Sequence, residues 1–300
     1  MTQHVQGHPA EASGSLTLGG DLSVYRLGFG AMRITGPGIW GPPADHDGAI
    51  AVLRRALDLG VNLIDTADSY GPEVSEELIA EALYPYPAQL IIATKGGLTR
   101  SGPGQWPQDG RPEHLRAALN GSLKRLRLER IDLYQFHRPD PRVPFEESVG
   151  ALAELQQAGK IRHIGLSNVT IDELERAQRI TPIVTVQNHY NLAGRASERM
   201  NHAQSERMID LCAEQGIGFI PWAPLAGGQD AASGAAVDEV ARQHHALPSQ
   251  VAIAWLLQRS PTMLPIPGTA SIAHLEENVQ SASLRLSREE YDLIDQQSRM

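Results

Sequence analysis

The sequence predicts a (β/α)8 barrel of the α/β class, preceded by a short β-hairpin. Three observations carry that expectation. Apolar strand-like runs alternate with helical periodicities through about eight units, no linker-like stretch interrupts them, and 300 residues suit one barrel with insertions. A doubly wound sheet is normally announced by a glycine fingerprint after its first strand. Here Gly28-Phe29-Gly30 runs into Ala31, Met32 and Arg33, which breaks that fingerprint.

Taken in order, residues 1–15 read as a disordered tail and residues 16–300 as the barrel domain. Leu16–Leu18 and Leu22–Val24 flank Gly19, Gly20 and Asp21, the pattern of a hairpin able to cap the bottom of a barrel. Strands are expected at Leu27–Met32, Asn62–Ala67, Leu90–Lys95, Ile131–His137, Ile161–Ser167, Ile183–Asn188, Ile217–Trp222 and Met263–Ile266. Helices are expected between them. Ile50, Leu53 and Leu57 mark the first, and others fall at Glu77–Leu83, Leu115–Leu126, Phe145–Ala158, Ser205–Gln215, Val237–Gln243, Ser249–Gln258 and Ile272–Val279. Thr170 with Glu173 and Ser287 with Glu290 have capping-box spacing. Trp255, in a helix, reads as core.

Composition excludes several classes of function. With 41% hydrophobic and 20% charged residues the chain can build a large core and is not of the disordered type. A formal net charge of −9 argues against a nucleic-acid partner, because a phosphate backbone needs a basic face. The single Cys212 allows neither a disulfide framework nor a thiolate metal site within one chain, and reads as a small buried hydrophobe. No 18-residue apolar run predicts a membrane span, and Met1–Ser15 lacks the features of a signal peptide. The expectation is therefore a cytoplasmic enzyme with a small-molecule substrate and no metal; oligomeric state is not legible.

The chain is organised around Asn62–Gly71, NLIDTADSYG: an apolar run reaching a carboxylate, then a turn of small residues leading to a phenol. In a parallel barrel the carboxyl ends of the strands share one mouth, where chemistry is placed. Asp65, Tyr70, Lys95 and His137 all fall at expected strand exits. Such a set has a physical use. A nearby ammonium favours phenolate and lowers a phenol's pKa, a carboxylate holds the ammonium, and the tyrosine becomes a usable proton donor. The histidine can donate to the same oxygen. This suits reduction of an aldehyde or ketone, with the hydride supplied by a cofactor because no side chain carries one. Trp40 and Trp106, in glycine-rich loops after the first and third strands, are candidate substrate walls.

The chain resembles the aldo-keto reductases from Leu22 to its last helix. The matching segments are NLIDTADSYG, IIATKGG (Ile91–Gly97), DLYQFHRPD (Asp132–Asp140), HIGLSN (His163–Asn168), VTVQNHYN (Val184–Asn191), FIPWAPLAGG (Phe219–Gly228) and LPIPGTASIAHLEEN (Leu264–Asn278). The resemblance implies a (β/α)8 barrel using NADPH/NADP+, with Asp65, Tyr70, Lys95 and His137 as its catalytic tetrad. It further implies nicotinamide contacts at Ser167, Asn168 and Gln187, with Trp222 stacking on the ring. Leu225 and Gly227, and then Gly268, Thr269, His274, Glu277 and Asn278, take the remaining cofactor positions. Many family members grip the 2′-phosphate with Lys and Arg where this chain has Gly268 and His274, so NADH is not excluded. A narrower resemblance, to bacterial pyridoxal reductases (pyridoxine 4-dehydrogenases), is carried by GAMRITGPGIWGPPAD (Gly30–Asp45), EALYPY (Glu81–Tyr86) and AIAWLLQRSP (Ala252–Pro261). It implies reduction of pyridoxal to pyridoxine. A broad-specificity aldehyde and ketone reductase, and a cofactor-sensing barrel like the potassium-channel β subunits, are the alternatives.

Overall fold

Alternating residues give each strand of the main sheet two apolar faces, one turned toward helices and one toward a barrel interior. The computed structural model describes residues 7–193, 202–226 and 234–298. An antiparallel hairpin, β1 (Ser15–Leu18) and β2 (Leu22–Tyr25), precedes the barrel. Its turn needs Gly19 and Gly20, whose φ of 59° and 86° lie in the left-handed region.

The barrel then alternates β3 (Phe29–Gly30), α1 (His46–Asp58), β4 (Leu63–Asp65), α2 (Val74–Leu83), β5 (Ile91–Gly96) and α3 (Pro112–Leu126). It continues through β6 (Ile131–Phe136), α4 (Phe145–Gln157), β7 (Ile161–Ser167), α5 (Ile171–Gln178), β8 (Ile183–His189), α6 (His202–Gln215) and β9 (Gly218–Trp222). Helices α7 (Ala235–Gln243), α8 (Pro248–Arg259), α9 (Ile272–Gln280) and α10 (Arg288–Gln297) complete the chain. Strands β3 to β9 pair in sequence order, all parallel.

The eighth stave, expected as a strand over Met263–Ile266, departs from that pattern. The segment does lie between β9 and β3: Leu264 N donates to Phe219 O at 2.8 Å, and Gly28 N donates to Pro265 O at 3.0 Å. Pro265 and Pro267 have no N–H to donate, so no continuous ladder forms; Phe219 pairs with Met263 in an isolated bridge, and Gly30 N reaches Pro267 O at 3.5 Å on the other side. Close approach completes the seam, since a Cβ on Gly30 would stand 2.6 Å from Ile266 O.

Two apolar layers result. Ile64, Ile92, Tyr134 and Phe136 face the helices, where Trp255 is fully buried between the rings of Tyr190 and Tyr291. Cys212 is buried there too, with burial pushing its thiol up to about 12. Leu63, Ile91, Ala93, Leu133, Ile220 and Leu264 face inward and share a cluster with Leu18, Leu22 and Val24 of the hairpin. The hairpin thus plugs the amino end of the barrel. The capping boxes at Thr170–Glu173 and Ser287–Glu290 both form.

The tail expectation fails over part of its length. Residues 1–6 lie outside the described residues, but Pro9–Ser13 form a 3-10 helix. Ala10 is fully buried there, and its N–H donates to Leu59 O at 3.0 Å. A short turn tied down by backbone bonds and one small apolar residue leaves no periodicity to read. Among the described residues, no helix is long and apolar enough to cross a membrane.

Candidate active site

The inward positions that are apolar low in the barrel become polar at its carboxyl end. Leu63 is followed two residues later by Asp65, Ala93 by Lys95, Leu133 by Gln135 and then His137, and Ile220 by Trp222. The period of two keeps all of these on one side of the sheet. Tyr70 joins them from the β4–α2 loop, and Ser167 and Gln187 stand at the ends of β7 and β8.

Lys95 is fully buried, and its Nζ donates to Asp65 Oδ1 at 2.5 Å, Thr66 O at 2.9 Å and Tyr70 OH at 3.3 Å. The second oxygen of Asp65 accepts from Gln135 Nε2 at 2.9 Å and Gln187 Nε2 at 2.8 Å. The carboxylate is therefore held from both sides and cannot swing away from the lysine. Burial disfavours the charged ammonium, but Asp65 and Tyr70 outweigh it and hold the Lys95 pKa above its ordinary value.

The phenol behaves otherwise than the sequence suggests. Desolvation pushes Tyr70 above the usual phenol range, and the neighbouring ammonium only partly offsets this. The group is a protonated donor throughout the neutral range rather than a partly ionised one. His137 moves down, well below the ordinary imidazole value, because burial and the cations of Lys95 and Arg138 oppose protonation. Its Nδ1 lies 3.4 Å from Ser69 Oγ. The imidazole ring stands edge-on to Tyr70 at 5.9 Å, and Trp106 does the same at 6.3 Å.

These groups open on a cavity of about 610 Å³, within the usual range for small-molecule sites. Asp65, Tyr70, His137 and Trp106 line it together with Ser167, Asn168, Gln187, Trp222, Leu225, Gly268, Thr269, His274 and Asn278. Asn168, at a left-handed φ of 59°, donates to His137 O at 3.0 Å and accepts from Trp222 Nε1 at 3.1 Å. Its amide thus fixes the indole. Gln187 Nε2 also donates to Gln135 Oε1 at 3.2 Å, tying the two amides together beside the carboxylate. Two expected residues stand apart. Glu277 is not in the cavity wall, and Trp40 is a surface residue, 36% exposed, whose neighbour Ile39 lines the cavity instead. Gly227 lies outside the described residues.

The chain matches the description of the aldo/keto reductase family over residues 26–299. It belongs to that family. It is 46% identical to pyridoxine 4-dehydrogenase of Escherichia coli (strain K12) over 294 residues, covering 96% of this chain and 99% of that one. An uncharacterised oxidoreductase of Schizosaccharomyces pombe is 49% identical over 280 residues, 93% of this chain and 89% of its own. Among solved structures, a glycerol dehydrogenase from Gluconobacter oxydans superposes with a TM-score of 0.81 at 28% identity, covering 95% of each chain. The chain is thus an oxidoreductase of the aldo/keto reductase family with its (β/α)8 fold.

Behind Lys95, on the helix side of the aldo/keto reductase barrel, lies a second buried group that sequence reading missed. Glu76, fully buried, accepts from Thr94 Oγ1 at 2.5 Å and from Arg125 Nε at 2.7 Å, and Glu73 takes Arg125 Nη1 at 2.9 Å. Asp68 shares this region, and among the described residues its Oδ1 is buried without a partner, as is Tyr134 OH. Burial and the charge of Glu76 push the Asp68 carboxyl well above the usual range. The folded form therefore binds this proton more tightly than the unfolded chain, and stability falls as pH rises above the ordinary carboxylate pKa toward the raised one. Asp68→Asn is expected to melt higher than the parent at pH 8, with the difference shrinking toward pH 5. Thermal denaturation at both pH values checks this, and a lower melting temperature at pH 8 would contradict it.

Proposed function

We propose that this chain is an NADPH-dependent carbonyl reductase whose substrate is the aldehyde of pyridoxal, with Tyr70 as general acid. The observation that carries the reading is the set of three bonds from the buried Lys95 ammonium, to Asp65, Thr66 O and Tyr70 OH beside the cavity. The identity with pyridoxine 4-dehydrogenase supports the choice of substrate.

The residues present fit a dinucleotide. Asn278 Oδ1 is buried in the cavity wall without a partner among the described residues, and Gln187 lines the same wall. Ser167, Asn168, Gln187 and Trp222 would hold the nicotinamide end; Leu225, Gly268, Thr269, His274 and Asn278 the remainder. NADPH, when bound, supplies the hydride. Everything else comes from the chain. Tyr70 donates its proton to the carbonyl oxygen as charge develops there, and Lys95 stabilises the phenolate left behind. Asp65, clamped by Gln135 and Gln187, keeps the ammonium in place. The His137 imidazole is neutral. With Ser69 donating to Nδ1, its remaining proton sits on Nε2 and can bond the same substrate oxygen. Trp106, Trp222 and Leu98 supply apolar walls that exclude water.

The test is a panel of aldehydes and ketones assayed with NADPH and with NADH. Pyridoxal is expected to have the highest kcat/KM in the panel. The preference for NADPH is expected to stay modest, about ten-fold, because Gly268 and His274 stand where Lys and Arg would offer the 2′-phosphate permanent charges. No turnover of pyridoxal, or a higher kcat/KM for an unrelated carbonyl, would remove the substrate assignment.

A further inference from the structure

Arg100 lies in the β5–α3 loop, and among the described residues it forms no ion pair with an acid. Its guanidinium instead donates to five backbone carbonyls. Nε reaches Gln105 O at 3.0 Å; Nη1 reaches Ile39 O at 2.7 Å and Ser69 O at 3.0 Å; Nη2 reaches Gly38 O at 3.2 Å and Gly102 O at 3.4 Å. A guanidinium has five N–H groups in a rigid fork, so its donor capacity is filled. The same group stands 3.6 Å from the ring centroid of Trp106 and 5.5 Å from that of Trp40.

These contacts join three loops that follow three successive strands. One carries Ile39, which lines the cavity; one carries Ser69, next to Tyr70; the third carries Trp106. Backbone bridges pin parts of these loops, Trp40 to Gly71 and Leu98 to Gln108, but none of these bridges spans all three loops. A cation bonded to all of them, and stacked on the aromatic wall, does this with a single side chain. Lysine cannot replace it, since an ammonium has three donors and no plane to stack.

We propose that Arg100 is a positioning residue for substrate specificity. It holds Trp106 and Ile39 as the two sides of a slot beside Tyr70 that accepts flat aromatic carbonyl compounds in preference to small aliphatic ones. The inference rests on the carbonyl-reductase reading, and its test separates the two. Arg100→Lys, Trp106→Ala and the double variant are compared with the parent for kcat and KM with pyridoxal and with propanal. The Kd of pyridoxine on the NADPH-loaded protein, measured by calorimetry, adds a readout that needs no turnover.

In Arg100→Lys the ratio of kcat/KM for pyridoxal to that for propanal is expected to fall about ten-fold, mainly through KM, with a matching rise in pyridoxine Kd. In the Trp106→Ala background the same change is expected to add less than about two-fold, because Arg100 acts through the indole. A parallel loss with both aldehydes would mark a general structural defect and overturn the proposal. So would additive effects in the double variant, or an unaltered pyridoxine Kd. A parent protein that reduces no carbonyl would defeat the reductase reading, and the pyridoxine Kd values would still decide the role of Arg100.

Discussion

Tyr70→Phe is expected to lower kcat for carbonyl reduction by about 10²–10⁴-fold, the range for losing a positioned general acid. Its Kd for NADPH should stay within about two-fold of the parent, because in the proposed mechanism the lost hydroxyl serves the substrate oxygen. Steady-state kinetics and a fluorescence titration with NADPH check the two halves separately. The pH dependence follows from the raised phenol pKa. On the proposed mechanism reduction needs the protonated phenol, so this group is expected to impose no loss of kcat/KM between about pH 6 and 9. Alcohol oxidation needs the deprotonated form and should rise through that range. Full turnover in Tyr70→Phe would remove the tyrosine from the mechanism.

Lys95→Met is expected to cost both activity and stability. The substitution leaves Asp65 buried without its cation, and breaking a buried pair in this way costs about 3–5 kcal/mol. Turnover should fall as far as in Tyr70→Phe, since no charge then stabilises the phenolate. A second substitution divides the two effects. Asp65→Asn combined with Lys95→Met removes the unpaired carboxylate, so stability should largely recover while turnover does not. Denaturant unfolding and kinetics on the single and double variants measure this. Recovery of turnover in the double variant would show that the ammonium has no part in the proton transfer.

The sequence was legible wherever a residue's role could be read from its place along a strand. Asp65, Lys95 and His137 each follow an apolar run with the period of the sheet, and the structure brings all three to one mouth with Tyr70. Gln135 could have been found the same way. It is a polar residue at an inward position of β6, between Leu133 and His137, and such a residue must have a buried partner. What was not legible depends on loops. Nothing local distinguishes Trp40 from Ile39 as the cavity wall, because the choice follows from the Ile39 φ of 57° and from contacts with Arg100 about sixty residues away. The Tyr70 pKa was misjudged for a related reason. Desolvation depends on the whole enclosure, and a motif shows only the charged neighbour.

The proline-bearing stave carries a consequence for how this barrel breathes. Pro265 and Pro267 interrupt the ladder, so transient opening of the cylinder is expected to start at this join, where hydrogen exchange of the neighbouring strand amides would show it as the fastest. Ile266, Pro267 and Gly268 also belong to the cavity wall. A ligand resting against them fastens the join from inside, and occupancy of the site becomes part of what keeps the cylinder closed.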